Sequence, residues 1–314
     1  MINKKIFYIL AAVLLMSLAG TSVVLAAEAT AATDPETQKV SNPPATGEKK
    51  QDLAILGKKL ANPLGEVWAL FTEFDFSLIK GDISDDHTKG NWNMLLQPIL
   101  PIPLTENWKL ITRPTLPVFF NTPVPEANSN GDVSFNHKGG LGDLIVPALF
   151  TKNPKKGNHW MFGFGPTFKF PTASNDLGSK TWEAGPAAVV VHSPPKYTSG
   201  FLGQYWWNYA ETNNDAEDTS HGELLVFYLY NLPGTWQIGF NPTISYNDKA
   251  SSGNKWNVPI GPIIVKMVKI GKVPMMIQVG VEYSIVNEDD FGKQWMFRLN
   301  LIPVIPGLIQ KPLF

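Results

Sequence analysis

The chain has 314 residues, of which 44% are hydrophobic, 11% aromatic and only 17% charged, with no cysteine and a formal net charge of -1. So even a charge balance excludes the basic footprint of a nucleic-acid binder, and the absence of cysteine excludes a disulfide-stapled secreted scaffold. Ten Trp and eighteen Phe beside so few charges predict a surface unlike the usual charged, water-facing one.

Residues 1–27 read as a secretory signal peptide: Lys4 and Lys5, an apolar run from Ile6 to Ala19, then small residues around Ala26 and Ala27. Residues 28–51 are rich in Thr, Pro, Ala and Lys without an apolar period, which predicts a flexible leader. Residues 52–64 predict a short amphipathic helix, with Leu53, Leu56 and Leu60 on one face and Asn62 and Pro63 as its stop. Such a helix either packs under one end of the main domain or plugs a pore. Beyond the signal, no stretch reaches the roughly 18 apolar residues of a transmembrane helix, so a membrane crossing would have to be made by strands.

From residue 66 the period becomes two. Trp68, Leu70, Phe74, Phe76 and Leu78 alternate with Ala69, Glu73, Asp75 and Ser77, the pattern of a strand with two unlike faces. Eleven further segments repeat it, at about 91–103, 107–120, 140–150, 160–170, 182–192, 201–209, 224–232, 235–246, 256–268, 274–286 and 294–305. The connections alternate between a long, acidic set and a short or Lys-bearing set. That asymmetry belongs to barrels with long outer loops and short periplasmic turns. The reading is therefore all-β: an antiparallel up-and-down transmembrane barrel of about 12 strands over residues 65–314, with a short helix before it. Trp68, Trp92, Trp108, Trp160, Trp182, Trp236, Trp256 and Trp295 fall near strand starts, where amphipathic rings suit the membrane interface. A soluble β-sandwich would have to bury twelve aromatic faces in one core.

Proline qualifies this picture. Pro98, Pro114, Pro147, Pro166, Pro186, Pro242 and Pro262 lie inside the strands, and each removes a ladder donor. Gly165-Pro166, Gly185-Pro186 and Gly261-Pro262 predict bulges and lateral weak points in the wall. The stretch from Gly163 also resembles the stretch from Gly239, each reading strand, polar loop, Lys, Trp, strand, which predicts a repeated hairpin unit.

The charges on the lumen parity are Glu73, Asp75, Lys109, Arg113, Lys169, Glu183, Glu282 and Arg298. Pairing is expected wherever charges enter a low-dielectric interior, and closure of the last strand on the first would bring Arg298 to Glu73 or Asp75. The same groups could line a solute path and set its selectivity. His87, His137, His159, His192 and His221 sit in loops or at strand ends, with no metal-ligand spacing. The acidic loop with Asp215, Glu217 and Asp218 lacks the EF-hand series, and GGLGD at 139–143 reads as a turn entering a strand. The sequence carries no catalytic constellation and calls for no cofactor or metal.

The ordered motifs PILPIPLTENWKLITRPTLPV, GGLGDLIVPALFTKNP, FGFGPTFKFPTAS, LGSKTWEAGPAAVV, SSGNKWNVPIGPIIVKMVKIGKVPMMIQVGVEYSIV and QWMFRLNLIPVIP together resemble a bacterial outer-membrane family. It is named for the putative MetA-pathway of phenol degradation and is also labelled simply transporter, or neuromedin U. The resemblance spans nearly all of residues 53–305. It implies an outer-membrane barrel in a Gram-negative cell, with lipid and small organic solutes as partners and the barrel insertion machinery as a partner in biogenesis. Two functional readings stand: a channel or facilitator for small aromatic or hydrophobic solutes, and a closed, ion-paired barrel with a structural or ligand-binding role. Bulky lumen-parity residues such as Phe71, Ile111, Phe119 and Trp206 favour the second.

Overall fold

The computed structural model describes residues 46–127, 133–154, 157–174, 177–212, 216–309 and 311–314. The expected signal peptide and most of the expected leader lie outside the described residues. Helix α1 spans Thr46–Leu60, so it begins within the segment read as leader and ends two residues before the predicted stop at Asn62.

The wall begins with β1 (Ala69–Lys80), β2 (Lys89–Pro103), β3 (Trp108–Thr112), β4 (Leu116–Ala127), β5 (Val133–Leu141) and β6 (Leu144–Lys152). It continues through β7 (Trp160–Phe170), β8 (Thr181–His192), β9 (Tyr197–Glu211) and β10 (Ser220–Asn231). It ends with β11 (Trp236–Phe240), β12 (Thr243–Asn247), β13 (Trp256–Ile260), β14 (Ile263–Ile270), β15 (Val273–Val286) and β16 (Gly292–Pro303). Four wall strands are each broken into two segments: β3 with β4, β5 with β6, β11 with β12, and β13 with β14. The sixteen segments thus make twelve antiparallel strands, and β1 pairs with β16 to close the barrel.

Three of the breaks contain Pro114, Pro242 or Pro262 and the fourth contains Gly142 and Asp143, as expected where a ladder donor is missing or the chain must bend. The widest discontinuity lies between the third broken strand and the fourth. There β11 pairs β14 as far as Gly239↔Ile263, and β12 pairs β13 only at Ser245↔Asn257 and Tyr246↔Trp256. Residues 240–244 and 258–262 therefore face one another without ladder pairing.

Pro166 and Pro186 are direct cross-strand partners in β7 and β8. Neither has an N–H, so theirs must be a non-hydrogen-bonded pair whose ladder positions point away from each other. The outward ladders are interrupted at those places: β6 and β7 lack pairs between Pro147↔Thr167 and Phe150↔Phe164, and β8 and β9 lack them between Ala184↔Trp207 and Ala187↔Gln204. Gly165 and Gly185 make the close approach there, since a Cβ on either would fall on the carbonyl oxygen of Ala148 or of Tyr205.

The two faces separate as the period of two demands. Trp160, Phe162 and Phe164 are 48%, 60% and 62% exposed, whereas Thr167 on the opposite parity is fully buried. Aromatic pairs ring the outer surface at both ends. Tyr246 with Trp256 and Tyr283 with Trp295 lie at the long-loop end, while Trp160 with His192 and Tyr197 with Tyr228 lie at the short-turn end. From Trp182 to His192 along β8, ten residues at about 3.3 Å each and the usual tilt near 40° span roughly 25 Å of barrel height, which fits a bilayer core. Trp68 departs from the expected girdle: it is buried, with Gly307 of the C-terminal tail packed close to its indole.

Candidate functional site: the filled, ion-paired lumen

The lumen is divided along its axis. At the short-turn end its lining is aliphatic and aromatic. One buried cluster there joins Phe71, Ile99, Leu229, Val265, Met267, Met276 and Ile302, and a second joins Ile111, Leu149, Val189, Val191 and Phe227. Into this half fits the segment that precedes β1. Leu60 belongs to the first cluster, with Leu53 and Leu56 of α1 packed against it; Leu64, with no exposure at all, belongs to the second. Asn62 shapes the descent, its Oδ1 accepting from the Leu64 N–H at 2.9 Å. The helix itself lies against the short-turn end, lining a recess with Pro195, Leu232 and Trp236, while Leu60 at its end and Leu64 beyond it enter the barrel.

The long-loop half is polar, and here the sequence-derived charges gather. Arg298 is the centre of one group: its Nε lies 3.0 Å from Asp75 Oδ1 and 3.4 Å from Glu73 Oε2, and its Nη1 lies 3.1 Å from Glu282 Oε1. The ladder explains the geometry, because Asp75↔Arg298 and Glu73↔Asn300 are opposed across the closing seam. Asn300 in turn donates to Gln278 Oε1 at 2.8 Å. Arg113, in the first wall break, stacks its guanidinium 4.2 Å from the centre of the Phe71 ring, and its buried Nε has no protein partner.

The second group stands on other strands. Lys169 on β7 reaches Glu183 on β8 at 3.2 Å and Asp143 at 3.8 Å, while His221 on β10 meets the other oxygen of Glu183 at 2.6 Å. His221 also stacks on the buried indole of Trp206, whose Nε1 donates to Thr167. Asp143 fastens the loop between β7 and β8 by accepting from the Ala173 N–H, the Ser179 N–H and the Ser179 hydroxyl. Beside this group a recess of about 460 Å³ is walled by Pro117, Phe119, Val124, Ile145 and Leu177, with Lys169 and Asp143 at its polar end.

The eight expected residues therefore do not form one site. Glu73, Asp75, Glu282 and Arg298 meet; Lys169 and Glu183 meet elsewhere; Arg113 lies below the first group. Lys109 sits apart in the apolar half, its Nζ 3.1 Å from Glu66 of the segment that fills the lumen. Sequence reasoning missed Glu66, Asp143 and His221. His221 shares the inward parity of Phe227 and Leu229 on β10, a signal that was there to read; Asp143, in a wall break, has no period to reveal it. Among the described residues no group of three His, Cys, Asp or Glu side chains is arranged to hold a metal ion.

A closed twelve-strand barrel with aromatic girdles and a charged lumen defines the class: an outer-membrane-type β-barrel. Residues 71–282 match the model of the family described as Putative MetA-pathway of phenol degradation, and the chain belongs to that family. Among solved structures it is similar to the COG4313 outer membrane channel from Pseudomonas putida F1, at 16% identity and a TM-score of 0.55, covering 76% of this chain and 96% of that one. It is also similar to the NanC porin, at 11% identity and a TM-score of 0.46, covering 76% of this chain and all of that one. No curated protein matches the sequence.

Proposed function

We propose that the protein is an outer-membrane facilitator for the passive passage of small organic solutes with an apolar body. The observation that carries this reading is the division of the lumen into a polar, ion-paired half with an apolar-walled recess and an aliphatic half filled by Leu60 and Leu64. A water-filled diffusion pore has no use for that filling, whereas an apolar solute meets favourable surface along the path. The unpaired wall between 240–244 and 258–262 offers such a solute a sideways exit into the bilayer.

Liposome swelling tests the proposal. With the folded protein reconstituted, an aromatic carboxylate should enter faster than a sugar of similar mass. Silence for both solutes, with folding verified by heat-modifiable migration, would instead support the closed, ion-paired barrel, the reading favoured by the fully buried Trp206 and Leu64.

A further inference from the structure

Two lysines face the lipid side of the wall near the short-turn end. On β6, Lys152 continues the outward parity of Phe150; on β14, Lys266 continues that of Ile264, and both of those apolar neighbours are exposed. Each lysine is opposed in the ladder by a tryptophan that opens its strand, as Trp108↔Lys152 and Trp236↔Lys266. The ammonium groups lie over those indoles, 5.0 Å and 4.4 Å from the ring centroids. Among the described residues neither lysine has a carboxylate within salt-bridge distance, unlike Lys80, Lys169 and Lys255 of the outer half. Counted around the twelve strands, the first pair lies on strands three and four and the second on strands nine and ten, on opposite sides of the barrel.

A lysine at lipid-facing depth is costly unless its charge is answered. The cation–π contact holds the ammonium in place but does not neutralise it. The short-turn end also carries Lys196 and Lys272 on its turns beside one carboxylate, Glu106, whereas Asp82, Asp86, Asp218, Asp248 and Asp289 lie at the other end with Lys249 and Lys255 among them. A phosphodiester at headgroup depth would supply such an anion, accepting from the ammonium that each indole holds in place.

We infer that the two Trp–Lys pairs are binding sites for anionic phospholipid headgroups of the periplasmic leaflet, one on each side of the barrel. The inference rests on the membrane placement in the reading above but not on solute passage, so a barrel that transports nothing would still bind these lipids.

The test is native mass spectrometry of the full mature chain in detergent, titrated with phosphatidylglycerol or with phosphatidylcholine of the same acyl chains. The wild type should retain up to two phosphatidylglycerol molecules in preference to phosphatidylcholine. Lys152→Gln and Lys266→Gln should each remove one, weakening that site about fivefold, while Lys152→Arg and Lys266→Arg should keep both. Lys255→Gln at the outer end serves as the control and should change nothing. Equal retention of the two lipids by the wild type would overturn the inference, as would unchanged phosphatidylglycerol binding in the heat-modifiable double Gln variant.

Discussion

Arg298 Nε lies 3.0 Å from the Asp75 carboxylate across the seam where the last strand meets the first, between residues 223 positions apart in sequence. One guanidinium there serves three carboxylates, using the planar fork that a lysine lacks. The seam is thus closed by side-chain chemistry as well as by the ladder.

Arg298→Met should cost about 3–5 kcal/mol, because it removes the buried guanidinium that Glu73, Asp75 and Glu282 share. Urea unfolding of the reconstituted barrel measures the loss. Adding Glu73→Gln, Asp75→Asn and Glu282→Gln to that variant should recover a large part of it, whereas Arg298→Lys should recover only a fraction.

Leu64 is the residue by which the pre-barrel segment holds to the second apolar cluster. Leu64→Ala should weaken its docking by about 2–5 kcal/mol, and Leu64→Asp by more. Single-channel recording should register both as increased conductance, with the larger increase for Asp. Unchanged conductance in both variants would mean that the segment does not occlude the path.

Asp143 holds the β7–β8 loop through two backbone N–H groups and the Ser179 hydroxyl. Asp143→Ala removes hydrogen bonds to a charged group, worth about 1.5–3 kcal/mol each. Hydrogen exchange at Ala173 and Ser179 should accelerate by at least about tenfold, while the Gln278 and Asn300 amides on the distant wall keep their protection.

Asp248, in the loop beyond β12, has its carboxyl held below the usual aspartate value by the Tyr246 hydroxyl and then by the Lys255 ammonium. A folded-state pKa below the unfolded one adds stability above the unfolded value, near 3.9; that stability is lost as pH falls through the folded value. NMR titration of the Asp248 side chain should show the depressed midpoint, and Tyr246→Phe should move it upward.

The wall was legible because its information is local. A period of two, Trp at strand starts and alternating loop lengths all follow from one membrane and one ladder, and together they yield twelve strands. Position along the barrel axis was harder to read. Glu73 and Lys169 share the inward parity, but which charges meet depends on strand order and stagger, and only the Arg298 group, fixed by closure, could be anticipated. The helix could be read from its leucines, yet the entry of Leu60 and Leu64 into the barrel required knowing that Val189, Phe227, Met267 and Ile302 turn their apolar side chains into the lumen. A two-sided apolar strand announces itself less clearly than an alternating one, because its inward face resembles its outward face.

The facing prolines of β7 and β8 bear on the chain's life before it reaches the membrane. A hairpin of these strands offers no amide hydrogen at Pro166 on one edge or at Pro186 on the other, and each edge has a glycine beside the gap. Proline on an exposed edge is among the devices that keep strands from templating one another. Wherever it meets water before the barrel closes, this aromatic-rich hairpin is a poor seed for aggregation with its own copies.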